Sequence, residues 1–292
     1  MPTARVGELE LFYESMGQGP TVLLVMGLGA QMVLWPDDFC RGLVDRGFRV
    51  VRFDNRDVGE STRLDHLPVP APREQIGRWA LGLPVRAPYG LEDMADDAAG
   101  LLRELSVDRA HVMGVSMGGM IAQLLAIRHP ERVATLTSIM SSPGDRLSAL
   151  SRPRALRALF RPLPRTREQA QDSALELYRV IGSPGFALDE ASIRERAGRS
   201  FDRGPSPRGF LRQMAAVLAA GDRRPALGRL RLPALVVHGT EDPLVPPRGG
   251  TQTARALPGS QLLRIAGMGH DLPAGAWPRI FDGFERVARS AT

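Results

Sequence analysis

One serine, one aspartate and one histidine, far apart along the chain, each follow an apolar run. Ser116 lies in Gly114-Val115-Ser116-Met117-Gly118-Gly119, Asp242 in Gly239-Thr240-Glu241-Asp242-Pro243, and His270 in Gly267-Met268-Gly269-His270. A serine hydroxyl is a poor nucleophile at neutral pH and needs an adjacent base. A neutral imidazole can take its proton and later deliver it to a leaving group. A carboxylate on the other ring nitrogen fixes the tautomer and stabilises the imidazolium. The order Ser, Asp, His along the chain fits this division of labour. The chemistry is nucleophilic acyl transfer.

The glycines around Ser116 strengthen that reading. Gly two residues before and two after a serine, between an apolar strand-like run (Ala110 to Met113) and a helix-like one (Met117 to Arg128), describe a tight strand-to-helix elbow. Side chains at Gly114 or Gly118 would collide with the neighbouring strand and helix. The turn lifts the hydroxyl above the sheet and sets the Met117 N–H, at a helix start, where an oxyanion would form. A second donor is expected from the loop after the strand Thr21–Met26, at Leu28. For the acid, Glu241 is the nearest rival and ranks below Asp242, which abuts Pro243. For the base, His238 is the only serious rival to His270. His111 lies within the elbow strand, His129 ends a helix before Pro130, and His66 sits in a polar loop.

These residues require a frame of alternating strands and helices. Val6 to Tyr13 reads as an edge strand and Thr21–Met26 as a buried one. Trp35 to Val44 has helical spacing, and Phe48 to Phe53 is the next strand. Asp54, Arg56 and Asp57 form a polar turn at its end, read as a structural tie between loops. Leu67 to Gly90 is rich in Pro, Gly and Arg and reads as irregular. Leu91 to Leu105 is a helix and Val133 to Met140 a strand. Leu232–Gly239 and Gln261–Ile265 are the last strands, and Trp277 to Ala288 the closing helix. Such alternation implies an α/β fold with a mostly parallel sheet and helices on both faces. Between, residues 145–228 are helical and Arg-rich, with breaks at Pro162, Pro164, Gly182–Gly185 and Gly204–Pro207. The expected organisation is a core of residues 1–144 and 229–292 with a helical cap inserted at 145–228.

Composition narrows the class. The chain has 292 residues, enough for one large domain with an insertion, and a single cysteine, Cys40, which excludes an internal disulfide and a Cys-based metal site. No metal or cofactor is expected. The first residues lack the apolar core of a secretion signal and no apolar run approaches membrane length. A cytoplasmic protein with no membrane partner is expected. The net charge of +6 comes from 38 basic residues, all arginine, a pattern of compositional bias. The arginines are dispersed without aromatic interleaving, so nucleic acid is not expected as a partner. Those of the helical insertion read as solvated faces, with contacts favouring an anionic substrate as the lower-ranked alternative.

Taken together, the segments Val25-Met26-Gly27-Leu28-Gly29, Trp35-Pro36-Asp37-Asp38-Phe39, Phe48 to Thr62 and Gly267–His270 resemble the α/β-hydrolase superfamily, in the branch containing aclacinomycin methylesterase. The resemblance covers nearly the whole chain and is loosest in the insertion. It implies a serine esterase acting on a methyl or other small ester of a bulky, often polycyclic, compound. It also implies triad roles for Ser116, Asp242 and His270 and oxyanion roles for Leu28 and Met117. Many relatives carry His-Gly where this chain has Met26-Gly27; the branch named also has Met there.

The expected partner is a small to medium, largely apolar ester. Met26, Met32, Met117, Met120 and Met268 flank the proposed catalytic loops, and thioethers suit an adaptable apolar pocket. Met120, and Met140 at the end of a nearby strand, read as core filling. Trp79 reads equally as a pocket-mouth residue or a loop anchor. The same triad supports lactone opening, perhydrolysis or C–C bond hydrolysis, and a ligand receptor on this scaffold is the alternative outside enzymes. Chemistry that uses an Asp nucleophile is disfavoured by Ser116.

Overall fold

The structure is a computed structural model, and it describes residues 2–145, 151–161 and 164–291. Eight strands form one sheet: β1 (Thr3–Val6), β2 (Leu9–Met16), β3 (Thr21–Val25), β4 (Arg49–Phe53), β5 (Ala110–Val115), β6 (Val133–Ile139), β7 (Ala234–Gly239) and β8 (Gln261–Ile265). Their spatial order is β1-β2-β4-β3-β5-β6-β7-β8. The β1–β2 and β2–β4 pairs are antiparallel and all later pairs parallel.

Eleven α-helices are found among the described residues. Before β6 come α1 (Asp37–Val44), α2 (Pro72–Ala80), α3 (Leu91–Glu104) and α4 (Met117–Arg128). Between β6 and β7 lie α5 (Pro153–Leu159), α6 (Arg167–Ile181), α7 (Glu190–Asp202), α8 (Pro207–Ala219) and α9 (Arg224–Leu227); α10 (Arg248–Ala256) and α11 (Trp277–Arg289) follow. No helix among the described residues is long and apolar enough to cross a membrane.

The central strands are apolar throughout because both faces of the sheet are covered. In β3 every residue is buried; Leu23 and Val25 point to one apolar cluster with α3 and α4, and Val22 and Leu24 to another with α1 and α11. In β7, Ala234 and Val236 join the first cluster and Leu235 and Val237 the second. This is the two-residue period of a strand acting between two helical layers. The amphipathic face of α11 buries Ile280, Phe281, Phe284, Val287 and Ala288, the spacing a helix needs for one apolar stripe.

Two sequence expectations are corrected. The single strand over Val6–Tyr13 is a hairpin, because Gly7 turns the chain at a φ of +60° and splits the run into β1 and β2. The stretch Leu67–Gly90 contains α2, started by Pro72 in its first turn. This helix buries only Gln75, so it lacks the apolar stripe that marks a helix in sequence. The inserted stretch is helical as read, with breaks at 182–185 and 204–206; residues 146–150, Pro162 and Leu163 lie outside the described residues.

Its arginines are not simply solvated. Arg212 of α8 is 0% exposed and grips Asp57 through two bonds of 2.8 and 2.7 Å, while the Tyr89 hydroxyl donates to the same carboxylate at 2.7 Å. Arg199 of α7 reaches Asp37 at 2.8 Å, and Arg203 pairs with buried Asp54. Asp54 also accepts the Met32 N–H at 2.7 Å, and Arg56 pairs with Asp97 at 2.6 Å. The Asp54–Asp57 turn thus ties loops together and anchors the inserted helices. At the base of the insertion, Arg223 N–H donates to Pro143 O at 2.8 Å and its Nη2 to Ser142 O at 2.9 Å, joining the two ends.

Candidate active site

Ser116 occupies the junction of β5 and α4 with φ +54° and ψ −120°, a conformation side-chain-bearing residues rarely adopt. The flanking glycines make it possible. A Cβ on Gly114 would stand 2.1 Å from Gly118 O, and one on Gly118 2.1 Å from Val25 O. The turn is therefore as tight as the backbone allows. It is closed by Ser116 N–H donating to Ile139 O at 3.0 Å and by Gly119 N–H donating to Ser116 O at 2.9 Å.

Asp242 leaves the end of β7 in a short turn. Its Oδ1 accepts the N–H groups of Leu244 and Val245, each at 2.9 Å. That leaves Oδ2 for His270 Nδ1 at 2.7 Å. Glu241, the rival in sequence, is exposed and points away. Burial alone would raise the Asp242 carboxyl, but the facing His270 imidazole and the second imidazole of His238 hold it well below the usual carboxylate range. His238 is buried, donates its Nε2 to Val245 O at 2.8 Å and lies 3.5 Å from Asp242 Oδ2. It backs the carboxylate; it does not face the serine.

His270 Nε2 stands 3.0 Å from Ser116 Oγ. The loop that carries it is braced from the inserted helices. His270 N–H donates to Ile181 O at 2.7 Å, Gly269 N–H to Ser183 Oγ at 2.8 Å and Gly185 N–H to Gly267 O at 2.9 Å. Backbones meet here without side chains between them: a Cβ on Gly269 would lie 2.1 Å from Gly182 O. Ser183 also donates to Asp271. Sequence reading saw Gly182–Gly185 only as a helix break; nothing in its composition announces a partner loop 86 residues away.

Ser116, Asp242 and His270 are thus brought into one hydrogen-bonded row. Gly27, Leu28 and Met117 line the same cavity as Ser116, and a Cβ on Gly27 would come within 3.9 Å of Ser116 Oγ. The Met117 amide begins α4 and has no acceptor within its own helix. Ser116 and His270 open on a cavity of about 1270 Å³ between the sheet edge and the inserted helices. Its wall is mainly apolar. Met26, Met117, Met120 and Met140 line it, whereas Met32 and Met268 are fully buried in the core. This corrects the expectation for Met32, Met268 and Met120, whereas Met140 packs in the core as read and also borders the void: the period of a helix or strand does not say which apolar residues meet a void. Trp79 of α2 lines the cavity as well.

Such a row can deprotonate a hydroxyl and hold an imidazolium, the two requirements of acyl transfer. Comparisons with known proteins agree. Residues 20–273 match the family described as alpha/beta hydrolase fold. The chain is 30% identical over 300 residues to rhodomycin D methylesterase DnrP of Streptomyces peucetius, covering 94% of this chain and 93% of that one. It is 28% identical to 3-oxoadipate enol-lactonase 2 of Acinetobacter baylyi, over 83% of this chain and 79% of that protein. Among solved structures, a thermophilic esterase from Thermogutta terrifontis superposes with a TM-score of 0.70 at 25% identity, covering 98% of both chains. The sheet order, the elbow and these matches together make the chain a member of the α/β-hydrolase family.

Proposed function

We propose that this ester-bond hydrolase works through an acyl-enzyme on Ser116, with His270 as general base and acid and Asp242 as the carboxylate behind it. Ser116 Oγ attacks the ester carbonyl while His270 Nε2 takes its proton. Asp242 on Nδ1 holds the tautomer and stabilises the imidazolium. The N–H groups of Leu28 and Met117 receive the oxyanion, each worth about 3 kcal/mol in the transition state. The C–O bond breaks, and the alcohol leaves with the proton from His270. Water, deprotonated by the same Nε2, then attacks the acyl-enzyme and frees the acid and Ser116.

The observation that carries this reading is the pair of contacts on one imidazole, 2.7 Å to the carboxylate and 3.0 Å to the hydroxyl. The mainly apolar cavity supports a small to medium, largely apolar carboxylic ester, and the methylesterase named above supports a methyl ester. A lactone would open by the same steps without losing an alcohol. In this reading residues 145–228 are a cap over a core of residues 1–144 and 229–292, since they roof the cavity.

The test is a panel of chromogenic esters of increasing acyl length, run on wild type and Ser116→Ala, with a fluorophosphonate probe. Wild type turns over short to medium esters and is labelled at Ser116. Equal rates for wild type and mutant, with Ser116 unlabelled, defeat the proposal.

A further inference from the structure

Among the described residues, Arg196 is a cation of the cavity wall that no carboxylate bonds directly. Arg196 on α7 lines the cavity. Its guanidinium bonds Ser192 Oγ one turn back and the Tyr178 phenol on α6. Its Nε is buried with no hydrogen-bond partner among the described residues. The other cations of the wall are accounted for. Arg41 pairs with Asp38, and Arg199 with Asp37 and Glu195. Arg223 donates to Gln123 Oε1 and to the carbonyls of Ser142 and Gly221. Among the described residues no carboxylate pairs with Arg196. Asp271 is the acid that faces it, acting on it through space without forming an ion pair, and its carboxylate accepts from the Ser183 hydroxyl.

The position of this group matters as much as its charge. Tyr178 lies one helical turn before Ile181, whose carbonyl holds the His270 N–H. Arg196 and Tyr178 therefore border the reaction centre on its His270 side. The Nε–H itself is sealed from solvent, so what Arg196 offers the cavity is its charge and the rest of its guanidinium. The planar fork of a guanidinium matches a carboxylate in shape as well as charge. Burial keeps the Tyr178 phenol protonated, so its O–H is a second donor.

We propose that Arg196 and Tyr178 form a carboxylate-receiving subsite beside His270, so that the ester turned over best is a half-ester of a dicarboxylic acid. The free carboxylate docks on Arg196, the apolar wall takes the carbon chain, and the ester carbonyl reaches Ser116. Hydrolysis consumes one water and releases the alcohol and the diacid. This rests on the esterase reading above and narrows its substrate.

The experiment compares kcat/KM for monomethyl and dimethyl esters of the same diacids, glutaric to sebacic, in wild type, Arg196→Gln, Arg196→Lys and Tyr178→Phe. Wild type should favour the half-ester by about tenfold or more at the best chain length, the discrimination a placed charge-assisted bond supplies. Arg196→Gln should bring that ratio to near unity, chiefly through KM. Arg196→Lys should restore part of it, and Tyr178→Phe should lower it less. No preference at any chain length in wild type overturns the inference, as does an equal loss on both esters in Arg196→Gln. If wild type still hydrolyses diesters and labels at Ser116 in that case, the esterase reading stands alone. Titration of the free diacids into Ser116→Ala tests the subsite without turnover. Binding that Arg196→Gln abolishes supports it, and no binding of any diacid overturns it.

Discussion

The sheet edge and the inserted helices hold their parts of the site by different physics. At the edge, position follows from exclusion. Ser116 takes its unusual backbone angles because Gly114 and Gly118 leave no room for anything larger. In the insertion, position follows from attraction. Arg199, Arg203 and Arg212 reach back to Asp37, Asp54 and Asp57 of the core. Excluded volume is indifferent to salt and pH. An ion pair is not, and its worth depends on how dry it is. The insertion itself spans that range: Arg212 and Asp57 are both 0% exposed, whereas Arg199 and Asp37 are 32% and 35% exposed. The molecule thus combines a Ser116 fixed by its backbone with inserted helices attached at graded strengths.

The comparison is broken most severely at the edge itself. Ser116→Ala is expected to lower kcat on the order of 10⁵- to 10⁶-fold while leaving the circular dichroism and melting profile native. Asp242→Asn should cost roughly 10⁴-fold, by releasing the imidazole tautomer. Because the Asp242 carboxyl is held low, it stays ionised well into acid. The acid limb of the wild-type kcat/KM profile should therefore lack a carboxylate titration, which stopped-flow assays from pH 4 to 8 would detect.

In the roof the largest effect is expected at the dry pair. Asp57→Asn leaves Arg212 buried without its counter-charge and should destabilise by about 3–5 kcal/mol, read from urea unfolding. Burial alone would raise the Asp57 carboxyl, but bonds from Arg212, the Leu64 N–H and Tyr89 hold it below its ordinary value. Its contribution is then fully present above about pH 3.9, the unfolded value, and is lost as pH falls through the lower folded one. The stability gap between wild type and Asp57→Asn should shrink on acidification in that window; a gap constant from pH 7 to 2.5 would contradict the assignment. The smallest effect is expected at the wet pair: Arg199→Ala should change stability by less than about 1 kcal/mol and by still less at high salt.

This contrast also explains what was legible in the chain. Constraints of volume and period are written locally. The elbow glycines, the helix beginning at Met117, the strand Gln261–Ile265 and the burial of β3 all follow from a few adjacent residues. The triad positions follow from their order and from the apolar runs before them, and the structure gathers the three into one row. Interactions across long separations leave no local mark. The Arg212–Asp57 pair joins residues 155 apart, and arginines on an amphipathic helix look alike whether they meet water or a buried carboxylate. The bracing of the His270 loop by Ile181 and Ser183 was illegible for the same reason. Helix α2 escaped because its apolar residues are not on a buried stripe: Ile76 is 43% exposed.

One contact has a further bearing on how molecules come and go. The peptide of His270 hangs from the carbonyl of Ile181, and glycine lies against glycine beside it. A visitor that prised this flank open would slacken the very imidazole it needs. Other residues that border the void, Asp38, Arg41, Ile76, Leu156 and Phe160, are exposed to solvent, and none of them takes part in that tether. A guest that slips in past these residues leaves the suspension of the His270 imidazole untouched.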